Sequence, residues 1–112
     1  MNYELKNMVE QSGNLFEVKK ADILPGDELR LKTKNSIYII KVENDGSFLV
    51  SGGWFDKMEM SPARTTINGC TWGGSVIKTD IIAACGLFLE FGNRLITSAI
   101  QEIIYFPRSV KN

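Results

Sequence analysis

The sequence predicts an all-β fold: a small six-stranded barrel or sandwich built from antiparallel hairpins. Three observations carry that expectation. Apolar residues recur with a period of two over Glu28–Thr33 and residues 36–43, the spacing that sets one face of a strand on a core. Turn-forming residues punctuate these runs at Leu24-Pro25-Gly26-Asp27, Asn44-Asp45-Gly46 and Gly92-Asn93, as hairpins require. Glycines interrupt the β-rich residues 64–79 at Gly69, Gly73 and Gly74, where they mark bulges and bends.

Along the chain, residues 1–13 place Leu5, Met8 and Val9 at helical spacing before Ser12-Gly13, so they read as a short N-terminal helix or arm. Residues 14–107 read as the single β domain and 108–112 as a tail. Residues 15–20 give a weak first strand. Proline presets φ and glycine tolerates the positive φ after it, so Leu24–Asp27 is a turn. Glu28–Thr33 then alternates cleanly, with Leu29 and Leu31 inward. Residues 36–43 carry Tyr38, Ile40 and Val42 on one face but Ile37 and Ile39 on the other. Asn44-Asp45-Gly46 predicts a type I′ turn returning the chain along residues 47–51.

Residues 52–63 are irregular. Residues 80–91 read as one strongly apolar strand with Ile81, Ala83, Cys85, Leu87, Leu89 and Phe91 toward the core. Gly92-Asn93 predicts a II′-type turn pairing that strand with residues 94–106 as a second hairpin, which Pro107 ends. Within this last segment, Ile96, Ala99, Ile100, Ile103 and Ile104 also fit a helix, and Ser98-x-x-Gln101 resembles a capping box. The strand reading for residues 97–105 is preferred, with a bulge near Gln101-Glu102 reconciling the two inward sets.

Composition narrows the function classes. The 112 residues are 44% apolar and 23% charged, which suits one globular core. Thirteen basic and thirteen acidic residues cancel, which disfavours a generally basic nucleic-acid binder. There is no histidine, so Ser-His and Cys-His nucleophile pairs and histidine-ligated zinc are excluded. Residues 1–11 contain no apolar core of the kind a secretory signal needs. The longest apolar run, residues 81–89, falls far short of the ~20 residues of a membrane helix. A cytoplasmic, non-membrane protein is expected.

Cys70 and Cys85 admit a disulfide, a metal half-site or a nucleophile, but metal binding needs two further soft ligands. They read as buried, reduced thiols. Trp72-Gly73-Gly74-Ser75 lacks the phosphate-loop patterns and leads into β-branched residues, so its glycines read as bends. Asp56 with Glu59, and Asp80 with Glu90, are the acid–base pairs on offer. Nothing in the sequence brings either pair together, and Asp22, Asp27 and Asp45 sit in or beside turns. No catalytic residue, cofactor or metal is assigned.

The aromatics Trp54, Phe55 and Trp72 lie in glycine-rich segments, with Lys57, Arg64 and Lys78 nearby. These six are the candidate ligand or partner contacts, by stacking or anchoring; the alternative is that the rings plug the ends of a small barrel. Trp72, in a strand-like stretch, is expected in the core, and Trp54, after two glycines, on the surface. The expected role is a non-catalytic, self-associating interaction module. The alternative is a binder of single-stranded nucleic acid or oligosaccharide through the aromatic surface.

Four stretches, Thr33-x-Asn35-Ser36-x-Tyr38, Gly52-Gly53-x-Phe55, Gly69-x-Thr71-x-Gly73-Gly74-Ser75 and Thr97-Ser98-x-Ile100, succeed one another in a characteristic order. Over roughly residues 27 to 104 that succession resembles a group of small uncharacterised bacterial proteins. The resemblance implies a bacterial, soluble, single-domain protein and no particular chemistry.

Overall fold

Period-two alternation sets the central sheet. In the computed structural model, residues 14–73 and 76–108 are described; the helix or arm expected over 1–13 lies outside them, as do residues 109–112. In chain order the strands are β1 (Asn14–Leu15), β2 (Glu17–Lys19), β3 (Glu28–Thr33), β4 (Ile37–Val42), β5 (Phe48–Gly52), β6 (Ala63–Thr65), β7 (Ile67–Gly73), β8 (Val76–Lys78), β9 (Ile81–Ala84), β10 (Phe88–Phe91) and β11 (Ile100–Phe106). A five-residue helix, α1 (Gly53–Lys57), comes after β5. The fold is all-β and sandwich-like, with the chain cut into more and shorter strands than the six expected.

One six-stranded sheet has the order β1-β11-β3-β4-β5-β6; the opposing layer is built from β10-β7-β8 and the pair β2-β9. All pairings are antiparallel. Leu29, Leu31, Tyr38, Ile40, Val50 and Ile103 project from the large sheet into a core shared with Cys70, Ile82, Leu89 and Phe91. β9 is buried at every position, because it is covered on both faces and alternation gives way to continuous apolarity.

The Leu24–Asp27 turn forms as expected, with Gly26 at φ 94° and Asp27 N–H donating to Leu24 O at 3.0 Å. Five expectations are corrected. The β4–β5 turn is not type I′, since among its three turn residues only Gly46 has positive φ. The Asp45 carboxylate accepts from Ser47 N–H and hydroxyl, an Asx arrangement that keeps Asp45 in ordinary space. Residues 80–91 are two strands, broken by a turn at Gly86 (φ 90°).

The turn after β10 places positive φ on Arg94 rather than Gly92, and Asn93 Oδ1 accepts from Leu95 N–H at 3.1 Å. The last segment is a strand rather than a helix, as preferred, but only from Ile100 onward and not from residue 97, with its register shift between Ile100 and Glu102. Its partner, however, is β3 rather than β10; a single bridge, Glu90 to Ile96, is all that joins the segment to β10 as a ladder among the described residues. Finally, α1 replaces part of the irregular stretch.

Candidate interaction surface

The structure separates the six candidate contacts. Phe55 is 1% exposed and belongs to the core. Its ring meets Tyr38, Trp54 and Phe91 edge-on, with centroids 6.3, 5.2 and 5.2 Å away. Close approach to β4 also explains the paired glycines ahead of Phe55 in the chain. A Cβ on Gly53 would stand 2.3 Å from the Tyr38 ring, and one on Gly52 would stand 2.1 Å from Ile37 O, far inside contact distance. The Gly-Gly-x-Phe stretch is therefore a packing device that lays α1 across Tyr38.

The expected placement of the tryptophans is reversed. Trp54 packs against the core because α1 turns it back onto Phe55. Trp72 is 56% exposed. It is the extra residue at the β7–β8 register shift between Thr71 and Gly73, and a bulge re-aims its side chain away from the strand's alternation. Thr71 fixes that bulge: its hydroxyl donates to Val76 O at 2.6 Å and accepts from Gly73 N–H at 2.9 Å. Lys78 Nζ lies 5.5 Å over the Trp72 ring. The two tryptophan rings make no ring contact with each other, so no joint aromatic platform forms among the described residues. Lys57 is exposed in the last turn of α1.

The other motif stretches are also spent on structure. Ser98 donates to Thr33 Oγ1 at 2.9 Å and accepts from Asn35 N–H at 3.1 Å. Thr33 Oγ1 in turn accepts from Ser36 N–H at 3.0 Å. This hydroxyl clasp ties the β3–β4 turn to the entrance of β11.

Among the described residues, no element packs on the outer face of the large sheet. Directly paired residues share a face, and the register lays out three rows. Glu102, Lys32 and Ile37 form the first; Ile104, Arg30, Ile39 and Ser51 the second; Phe106, Glu28, Lys41, Leu49 and Arg64 the third. Ile37 is 59% exposed and Ile39 36%, side by side on β4, an inner strand of the sheet. Arg30 is held against Glu28 at 2.9 Å and over the Phe106 ring at 4.9 Å, so its guanidinium lies over this face. Arg64, bonded to Ser47 Oγ at 3.1 Å and paired with Glu43 at 3.5 Å, is the one candidate contact in these rows. The signal for this face was in the sequence: β4 is apolar on both sides while β3 is charged on its outer side.

The chemistry of the remaining groups is quiet. An open cleft of about 540 Å³ is lined by Leu15, Phe16, Lys32, Cys85, Gln101 and other residues. The Cys85 thiol contacts Leu15 O and Gln101 O, and burial, then the Glu102 charge, raises its pKa. Burial pushes the Cys70 thiol up to about 11. Neither thiol is activated as a nucleophile, and both are free. Alkylation with iodoacetamide at mildly alkaline pH is expected to label Cys85 slowly and Cys70 only on unfolding; mass spectrometry of the folded protein showing Cys70 labelled first would contradict this. Hydrogen bonds from Ser61 and Gly52 lower the Asp56 pKa, and its carboxylate pins the α1 loop.

Neither a family model, nor a curated protein, nor a solved structure matches this chain. No helix among the described residues is long and apolar enough to cross a membrane.

Proposed function

We propose that the protein is a non-catalytic interaction module that self-associates through the outer face of its six-stranded sheet. The observation that carries this reading is the placement of Ile37 and Ile39 on β4, an inner strand of that sheet, where the solvated side of a strand ordinarily carries polar residues. The surrounding rows interleave both signs, Glu102 beside Lys32 and Glu28 beside Lys41. A second copy turned face to face meets complementary charge. The free edges contribute less: β6 and β8 have three residues each, which is how sheets discourage edge pairing.

The reading is tested by methyl NMR of isoleucine-labelled protein over a concentration series. Signals of Ile37, Ile39 and Ile104 are expected to move with concentration while buried Ile40 and Ile103 stay fixed. Shifts confined to Ile77, the isoleucine of β8, would move the interface to the β7–β8 hairpin instead. The exposed Trp72–Lys78 pair favours a second reading, a stacking contact for a base or sugar ring, but one ring offers little of what single-strand binders use. Salt-dependent oligonucleotide binding abolished by Trp72→Ala is the result that supports it.

A further inference from the structure

A second concavity opens where the β4–β5 turn meets the Lys20–Asp22 segment, at one end of the sandwich, on the inner side of the large sheet. Its volume is about 300 Å³, and Ile23, Val42, Phe48 and Ile67 line it. Val42, Phe48 and Ile67 are core residues, each less than a tenth exposed, so the floor of this pocket is the end of the hydrophobic core. An opening at the mouth of a β-sandwich or barrel, apolar within and polar at the rim, is where small ligands are commonly held.

The rim decides the ligand's charge. Of the lining residues, Lys20 and Glu43 are charged. Glu43 is already paired with Arg64 at 3.5 Å, and the neighbouring Asp45 carboxylate is turned into its own turn by Ser47. Lys20 has no ion pair among the described residues, and its backbone N–H is fixed to Asp80 O at 2.9 Å, which anchors the side chain's origin at the mouth. We infer that this pocket binds a small amphipathic carboxylate, a medium-chain fatty acid or an aryl carboxylate. The apolar body enters between Phe48 and Ile67, and the carboxylate meets the Lys20 ammonium. The volume, at the lower end of the ligand-pocket range of roughly 300–1,000 Å³, favours a short chain.

The test is an amide-resolved NMR titration of the full chain with octanoate, with octylammonium and acetate as controls. Octanoate is expected to produce saturable shifts at Ile23, Val42, Phe48 and Ile67, with little response to either control. Lys20→Glu is expected to weaken octanoate binding by about tenfold, the size of one modest ion pair plus its reversal, and to strengthen octylammonium binding. Lys20→Gln, which keeps the stem and removes the charge, should fall between. Equal shifts from octanoate and octylammonium, or octanoate shifts centred on Ile37 and Ile39, would overturn the assignment.

Discussion

Replacing Phe55 by alanine is expected to destabilise the protein by about 3–5 kcal/mol, the range for deleting a fully buried aromatic ring. Phe55 stands at the centre of an edge-to-face cluster with Tyr38, Trp54 and Phe91. Its removal forfeits transfer free energy and three favourable ring contacts, and it frees α1 from the sheet. For a domain with a total stability of roughly 5–15 kcal/mol, that lowers the melting temperature by about 20 °C. Trp72→Ala is expected to change stability by less than about 1 kcal/mol, since the ring is largely solvated and its partner is one exposed lysine. Trp54→Ala should fall between them. A thermal melt in which Trp72→Ala costs as much as Phe55→Ala would show that the bulge at Trp72 does not form.

The second large effect is expected at Asp27, which is 1% exposed and forms no ion pair among the described residues. Its carboxylate is satisfied by three donors: Leu24 N–H at 2.8 Å, Tyr105 O–H at 2.7 Å and Arg108 N–H at 2.7 Å. A buried carboxylate persists only when its lone pairs are so occupied. Asp27→Ala leaves all three donors without that acceptor and should cost about 2–4 kcal/mol. Asp27→Asn, which turns an N–H₂ toward donors, should rescue little. The same bond has an alkaline signature. Burial first, then the hydrogen bond to Asp27, raises the Tyr105 pKa above its ordinary range. A raised folded-state pKa contributes stability fully below the unfolded value of about 10 and loses it as pH rises further. Denaturant midpoints are therefore expected to fall above about pH 10, less steeply in Tyr105→Phe; an unchanged slope in that variant would remove Tyr105 as the cause.

Much of this architecture was legible. β3, β4 and β5 follow from alternation alone, because a one-residue slip there would turn Leu29, Leu31, Ile40 and Val50 out to solvent. Pro25-Gly26 specifies its turn through backbone φ. What failed were inferences that carried a local pattern into non-local pairing. The Gly92-Asn93 turn suggested that β11 would return along β10, yet the chain runs past β10 and joins β3, a partner more than sixty residues away that no local period encodes. Gly86 sits in an otherwise unbroken apolar run, and only its positive φ splits β9 from β10. Trp72 escapes the alternation because a bulge adds one residue to its strand and reverses which face the side chains take. Trp54 and Phe55 escape a reading of glycine as looseness, since Gly52 and Gly53 permit close packing on β4.

The outer sheet face was half legible: Ile37 and Ile39 could be assigned to one side of β4, but not to an inner strand of a sheet open to solvent. Sedimentation equilibrium from micromolar to hundreds of micromolar tests its role most directly, comparing the native chain with Ile37→Thr/Ile39→Thr, a pair of β-compatible exposed substitutions. The native chain is expected to pass from monomer to dimer over that range, while the double variant stays monomeric with a melting temperature close to that of the native monomer. A native chain that remains monomeric throughout, or a double variant that dimerises as well as the native chain, would contradict association through this face.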